Sequence, residues 1–348
     1  MGCSPETSPH YAPVEPGVEP AYMTLFRSGE LADRAREARA HLASCDLCAR
    51  YCRVDRFAGV KGAVCRTGVR ALVHSFGPHY GEERCLTGTR GSGTIFFTWC
   101  NLRCVFCQNY EIAQLGEGRE VCAEELADMM LQLQHRGCHN INVVTPSHVV
   151  AQVLEALVIA AANGLRVPLV YNTGGYDSQE ALALLDGIID IYLPDVKYGD
   201  SAIARRHSKI PDYVEVNQAA VREMYRQVGE LVLDEHGIAR RGLLVRHLVL
   251  PGGLAGTEQV LTFLSRKLSP TISVNVMGQY QPYFKAAQYP PLDRPLTVQE
   301  FQAAVSVARR SGLPLVDGPD RDAPPCHVRT SKRTRTRGSL TYRRIFEN

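Results

Sequence analysis

Thr94-Ile95-Phe96-Phe97-Thr98-Trp99-Cys100-Asn101-Leu102-Arg103-Cys104-Val105-Phe106-Cys107 sets three cysteines directly after a short apolar run. The run reads as a buried strand. The cysteines follow in a C-x3-C-x2-C pattern, and three thiolates on one such loop can converge on one metal centre. Three are too few to close a tetrahedral structural zinc site unless a fourth ligand comes from elsewhere. They suffice to hold a four-iron cluster with one iron left open to a further ligand. The plain alternative is three buried thiols acting as small hydrophobes.

Outward from this loop the chain alternates. Strand patterns at 94–97, 140–144, 167–171, 188–193, 243–250 and 272–277 are separated by helical patterns at 124–135, 147–163, 178–185, 211–229 and 257–268. A last helix is expected at 297–311, with a short strand at 313–316, and an early helix at 23–42. Such alternation predicts an α/β fold of parallel strands joined by right-handed crossovers. Periodicity leaves open whether the sheet is doubly wound or a complete or partial barrel. Special residues gather just after each strand: the cysteine loop, Thr145-Pro146-Ser147-His148, Asn172-Thr173-Gly174-Gly175, Pro194-Asp195-Val196-Lys197, Pro251-Gly252-Gly253 and Gly278-Gln279-Tyr280. In parallel α/β folds chemistry sits at that end of the strands. Cys138 and His139 precede a strand, on the opposite edge.

A second group, Cys45, Cys48, Cys52 and Cys65, has the spacing C-x2-C-x3-C-x12-C. Four thiolates suit a structural zinc and equally an auxiliary iron–sulfur cluster. Cys85, Cys122, Cys138 and Cys326 have no partners at ligand spacing. The 348 residues, 45% hydrophobic and 22% charged, exclude a disordered or fibrous chain and allow a large core. No apolar run is long enough to span a membrane, and residues 1–22 lack the apolar stretch of a secretory signal. A cytoplasmic location is therefore expected, where abundant cysteine means metal or catalysis. The net charge of +3 is uneven: residues 319–348 hold eight Lys/Arg and three Asp/Glu, leaving about −2 on the rest. That basic end reads as a disordered tail, and nucleic acid is not expected as a partner.

With Phe106 just before its last cysteine, the 100–107 loop resembles the cluster motif of the radical S-adenosylmethionine (SAM) superfamily. Ile191-Tyr192-Leu193-Pro194-Asp195-Val196-Lys197 resembles the fourth-strand D-x-K segment of pyruvate formate-lyase activating enzymes. Leu244-Val245-Arg246-His247-Leu248-Val249-Leu250-Pro251-Gly252 resembles their fifth-strand R-x-V-V-P-G segment. The run from 45 to 317 is similar to their PflX-like branch. The resemblance implies a partial (β/α)6 TIM-type barrel, with a small N-terminal cysteine-rich metal-binding segment. It implies a 4Fe-4S cluster on Cys100, Cys104 and Cys107, and SAM chelated to the open iron. Reductive cleavage of SAM would yield a 5′-deoxyadenosyl radical for hydrogen abstraction, in the narrow version from a glycyl-radical enzyme.

The same resemblance places Phe106 near the adenine and Asp195 and Lys197 at the methionine end, with Arg246 close to the same ligand. Asn172 would reach the ribose or sulfonium side. Thr145 would replace an acceptor, because Thr145-Pro146-Ser147-His148 stands where the family carries Gly-Gly-Glu. Thr98-Trp99 also lacks the Gly-Cys of proven glycyl-radical activases. A reducing partner such as flavodoxin or ferredoxin is implied, and no membrane. The competing class is a non-enzymatic iron–sulfur or zinc scaffold or electron carrier. The rim residues His148, His247 and Tyr280 are candidates for proton relay or for structural roles. The expected division is a lead-in at 1–22, a helix and cysteine-rich segment at 23–85, the barrel at 86–318 and the tail at 319–348.

Overall fold

The computed structural model describes residues 19–317, which fall within one compact unit. The expected tail at 319–348, most of the lead-in, Cys3 and Cys326 lie outside these residues. The single helix expected at 23–42 is two, α1 (Tyr22–Ser28) and α2 (Glu30–Ala40). Gly29 breaks them: at φ 85° it ends α1 in the left-handed conformation that glycine adopts without strain. The cysteine-rich stretch follows with almost no regular structure. Next come β1 (Ala71–His79), the short α3 (Arg84–Thr87), β2 (Ser92–Phe97) and β3 (Arg119–Val121).

From there the alternation matches the sequence reading to within a few residues, except for two short elements at 201–208 and 232–233 that were not expected. The elements are α4 (Ala123–His135), β4 (Ile141–Val144), α5 (Val150–Ala162), β5 (Leu169–Thr173), α6 (Gln179–Leu185), β6 (Ile191–Pro194), α7 (Ser201–Ser208) and α8 (Tyr213–Val228). After them come β7 (Val232–Leu233), β8 (Ala239–Leu248), α9 (Thr257–Phe263), β9 (Ser273–Met277) and α10 (Val298–Ser311). The strand expected at 313–316 is only a bridge between Val274 and Leu315.

Strands β2, β4, β5, β6, β8 and β9 pair in parallel, each with the next. Their spatial order is their chain order. A doubly wound sheet reverses its order at a switch point; this one never does, so it winds one way only, as a barrel does. The circuit stays open. β1 occupies the outer side of β2 in antiparallel register, Val73 facing Phe97 and Phe76 facing Ile95. The architecture is thus a partial (β/α)6 TIM-type barrel. β1 was not expected, and it carries the main sheet into the segment before residue 85.

Inward and outward faces alternate along each strand. Outward residues Ile95, Ile141, Val143, Leu169, Tyr171, Val245 and Val274 pack with Leu126, Met130, Leu154 and Leu157 of the helices. α2 lies on α5, so the N-terminal helices are an outer layer of the barrel wall. Inside, Cys85 and Leu86 of α3 join Val170, Ile191, Leu193 and Leu244 as an apolar plug. Among the described residues no helix is long and apolar enough to cross a membrane.

Candidate functional site

The cysteine loop leaves the C-terminal end of β2 through two fixed residues. Thr98 Oγ1 donates to the Glu117 carbonyl at 2.8 Å. Trp99 takes φ 69°, a left-handed conformation uncommon outside glycine, and its N–H reaches the Ile112 carbonyl. Asn101, buried, donates to the Tyr176 carbonyl at 2.7 Å. The N–H groups of Arg103 and Val105 bond the carbonyls of Ser208 and His207 at the end of α7. The Lys285 N–H bonds the Val105 carbonyl. The loop is therefore held by barrel segments on several sides, and Cys100, Cys104 and Cys107 are mutual neighbours.

Burial pushes the Cys100 thiol up to about 11 and the Cys107 thiol to about 12, with the adjoining thiols adding to it. Burial also raises Cys104, against the pull of the nearby Lys197 ammonium. Without a metal these groups are neutral; bound to one, a thiol is deprotonated outright. Among the described residues, no three His, Cys, Asp or Glu side chains are grouped as one bare ion requires. A cluster core is larger than an ion and takes its thiolates further apart, so three neighbouring thiols on one loop fit it.

Around the loop lie the strand-end residues singled out in the sequence. Lys197 Nζ is 2.5 Å from Asp195 Oδ2, and its charge lies in the field of Cys104. Burial alone would lower the Lys197 pKa, but Asp195 and Cys104 hold it above the usual range. Thr145 ends β4 at φ 59° and gives its N–H to the Asn172 carbonyl at 2.8 Å. Phe106 is buried edge-on against Tyr280, ring centres 5.9 Å apart. Gly174 and Gly175 let these parts approach. A Cβ on Gly174 would stand 2.7 Å from Leu102 of the cysteine loop. One on Gly175, at φ 74°, would stand 2.1 Å from Asn217 Nδ2 and 2.4 Å from the Asp195 carbonyl.

Arg246 reaches into the barrel, and there the structure adds what the sequence did not. Its guanidinium is gripped by Glu83, at 2.7 and 2.6 Å, and by Glu82, while Nη1 lies 3.4 Å from Asn172 Oδ1. Asn275 donates to Glu83 at 2.9 Å. Asn172, Arg246 and Asn275 thus form a polar layer joined through carboxylates from the loop before α3. On the neighbouring inward position Asn142 is fully buried, with neither amide atom partnered. Glu82, Glu83 and Asn142 carried no sequence signal.

The rim histidines are buried, and each holds a backbone carbonyl, His148 through Nε2 that of Thr98 at 2.9 Å. His247 Nδ1 is 2.7 Å from the Val196 carbonyl and Nε2 3.0 Å from Thr257 Oγ1. Burial lowers its pKa to about 4, and that of His148, beside Arg56, to about 3. Burial therefore favours the neutral form of both near pH 7. The Tyr280 hydroxyl, raised by burial to about 12, donates to the Leu292 carbonyl at 2.6 Å. Cys85 belongs to the interior plug and Cys122 caps α4.

Comparison with known proteins bears on this arrangement. A family model described as the radical SAM superfamily matches residues 94–232. A protein of Methanocaldococcus jannaschii, described as uncharacterized, is 32% identical over 282 residues, covering 78% of this chain and 76% of that protein. Among solved structures, Streptococcus suis SuiB bound to its precursor peptide SuiA aligns with TM-score 0.40 and 13% identity. That alignment covers 63% of this chain and 46% of SuiB, so the chain spans under half of SuiB's length. A radical SAM methyltransferase from Sphaerobacter thermophilus aligns with TM-score 0.42 and 13% identity over 64% of this chain and 65% of the other.

Proposed function

The chain belongs to the radical SAM superfamily, and on that premise we propose that it is an enzyme working through a four-iron cluster on Cys100, Cys104 and Cys107. When bound, the cluster would supply the one electron that cleaves SAM into methionine and a 5′-deoxyadenosyl radical for hydrogen abstraction. The observation that carries the reading is the meeting of two sequence-distant features at one end of the barrel. The three-cysteine loop and the Lys197–Asp195 pair lie together, with Lys197 beside Cys104.

The chain's own residues then have distinct tasks. Lys197, held charged by Asp195, binds the SAM carboxylate, and Asp195 faces the amino group. The Thr145 hydroxyl and neighbouring carbonyls take up the polar contact that the family assigns to a glutamate. Phe106, braced by Tyr280, lines the adenine side, and Asn172 the ribose side. Arg246 has its donors engaged by Glu82 and Glu83 and acts as a positioning residue, keeping Asn172 oriented. The buried walls exclude water from a site where a free radical must be shielded. A one-electron donor such as flavodoxin or ferredoxin is the partner this chemistry needs. The narrower reading, hydrogen taken from a backbone glycine of a protein, is supported by the resemblance of residues 191–197 and 244–252.

The test is anaerobic reconstitution, reduction and incubation with SAM, with 5′-deoxyadenosine measured by chromatography. Wild type forms it, and Cys104→Ala falls to background. An intact four-iron signal without 5′-deoxyadenosine would sink the enzyme reading and favour an electron carrier.

A further inference from the structure

We propose that Cys45, Cys48, Cys52 and Cys65 hold a second iron–sulfur cluster whose negative charge is balanced by the buried guanidinium of Arg56. These thiols, like those of the first loop, are not grouped as one bare ion requires, whereas a cluster core takes its thiolates further apart. The segment from Cys45 to Arg70 contains neither helix nor strand. Loops of that length without structure of their own are uncommon in a compact domain. Yet Cys45, Cys48, Ala63, Cys65 and Thr67 are buried, so something ties the segment together. Backbone bonds bring the first cysteine back on the chain: the Cys45 N–H meets the Val54 carbonyl, and the Arg53 N–H the Cys45 carbonyl. Tyr51, Arg53 and Arg66 take positive φ of 44°, 53° and 47°. Such conformations persist only where the surroundings hold them. The four thiols lie within one another's electrostatic surroundings.

Charge carries the inference further. Arg56 is 2% exposed. It donates to the carbonyls of Gly68, at 2.8 and 3.2 Å, and His148, at 2.8 Å, and Nη1 lies 3.7 Å from Cys45 Sγ. Among the described residues no carboxylate pairs with it. Carbonyls satisfy its N–H groups but leave its charge, which arginine cannot shed, uncompensated. A buried unpaired charge is strongly disfavoured. The neighbours able to carry a negative charge are Cys45 and Cys65, and a thiol does so stably when a metal holds it as thiolate. Residues 45–70 hold six Lys/Arg and two Asp, a net of +4. Four thiolates on an iron–sulfur core leave the site negative. Such a centre offsets the segment's charge.

The site adjoins the 100–107 loop. Arg50 Nε donates to the Asn101 carbonyl at 2.7 Å, Arg103 donates to the Val64 carbonyl, and the Arg66 guanidinium lies 4.9 Å from the Trp99 ring centre. Arg103 feels both Cys100 and Cys65. The second centre is therefore placed to order the loop that carries the first cysteines.

The proposal does not need the radical chemistry, and its test is separate. The full chain carrying Cys100→Ala, Cys104→Ala and Cys107→Ala is purified anaerobically, and iron, sulfide and zinc are counted per chain. Retention of about two to four irons with matching sulfide supports the cluster, and about one zinc without iron overturns it. Less than about a tenth of that iron also overturns it. Should that variant not fold, the wild-type chain is compared with Cys48→Ser/Cys65→Ser. Metal beyond the first cluster must be present in the former and missing from the latter, and equal contents overturn the proposal. Arg56→Met, at unchanged far-UV circular dichroism, should weaken metal retention against a chelator about tenfold or more. Arg56→Lys should restore part of it, and unchanged retention in Arg56→Met would overturn the counter-ion role.

Discussion

Asn142 is the residue at which stability and function pull apart most visibly. A buried polar atom without a partner costs about 1–3 kcal/mol, and Asn142 has two, Oδ1 and Nδ2. Sitting on an inward position of a barrel strand, it fits a group that meets a ligand rather than the fold. Asn142→Leu is therefore expected to raise the urea midpoint of the metal-loaded protein, by about 1 kcal/mol or more in stability, while lowering 5′-deoxyadenosine formation or its coupling to substrate. A variant both less stable and fully active would remove Asn142 from the site. The contrast with Cys100, Cys104 and Cys107 shows what a sequence reveals at this scale. Those cysteines are legible because their spacing is local. Asn142 looks like any polar residue in a strand, and its lack of partners exists only once the barrel closes round it. Arg246 is intermediate: its strand-end position was readable, but Glu82 and Glu83 lie more than 160 positions away.

At the scale of elements, the strand ends are aligned by close backbone approach. Gly175 sits where β5 turns back, and Asn217 of α8 donates to the carbonyls of Gly175 and Asp195 at 2.9 and 3.0 Å. That one amide ties the turn to the start of the Asp195–Lys197 segment. In Gly175→Ala the new Cβ meets both Asn217 and the Asp195 carbonyl, at a residue with positive φ. A loss of stability of about 1–3 kcal/mol is expected, together with weaker SAM binding by equilibrium dialysis, because Lys197 moves with the β6 end. Unchanged SAM affinity in a folded variant would separate the turn from the site. The Gly-Gly pair and the elements round it were readable from punctuation and apolar spacing. β1 was not, because Gly77 and Pro78 interrupt its alternation, and pairing with β2 and β3 makes it a strand. Helix α7 was missed for a different reason: its apolar residues, Ala202, Ile203 and Ala204, form one short run with no repeat at helical spacing. Its N-terminus is set by Asp200, which accepts from the Ala202 N–H at 2.7 Å.

Over the whole molecule, the choice between a barrel and a doubly wound sheet hinged on which strands lie side by side, a non-local fact to which periodicity is blind. The closed-in architecture has an electrostatic consequence, since it buries titratable groups of opposite tendency at distant places. Asp190 accepts the N–H groups of Ala21 and Leu169 at 2.8 Å each, tying the start of α1 to the start of β5. Burial raises its pKa to about 7. A folded pKa above the unfolded one means that its contribution is full below about 4 and is lost as the pH rises through 7. His148 and His247 run the other way. Their folded values, about 3 and 4, lie below the unfolded 6.5, so their contribution is full above 6.5 and is lost as the pH falls through the folded values. Between about pH 4.5 and 6 the unfolded chain binds two extra protons at the histidines, and the folded chain one extra at Asp190. The net of one proton makes these three groups raise stability by about 1.4 kcal/mol per pH unit on going up. Urea midpoints at pH 5, 6 and 8 check the signs one at a time. His247→Gln should flatten the rise between pH 5 and 6, and Asp190→Asn should steepen it and gain on wild type at pH 8 relative to pH 5. A steeper slope in the histidine variant, or a flatter one in the aspartate variant, would mean that these groups do not hold the protonation states their burial imposes.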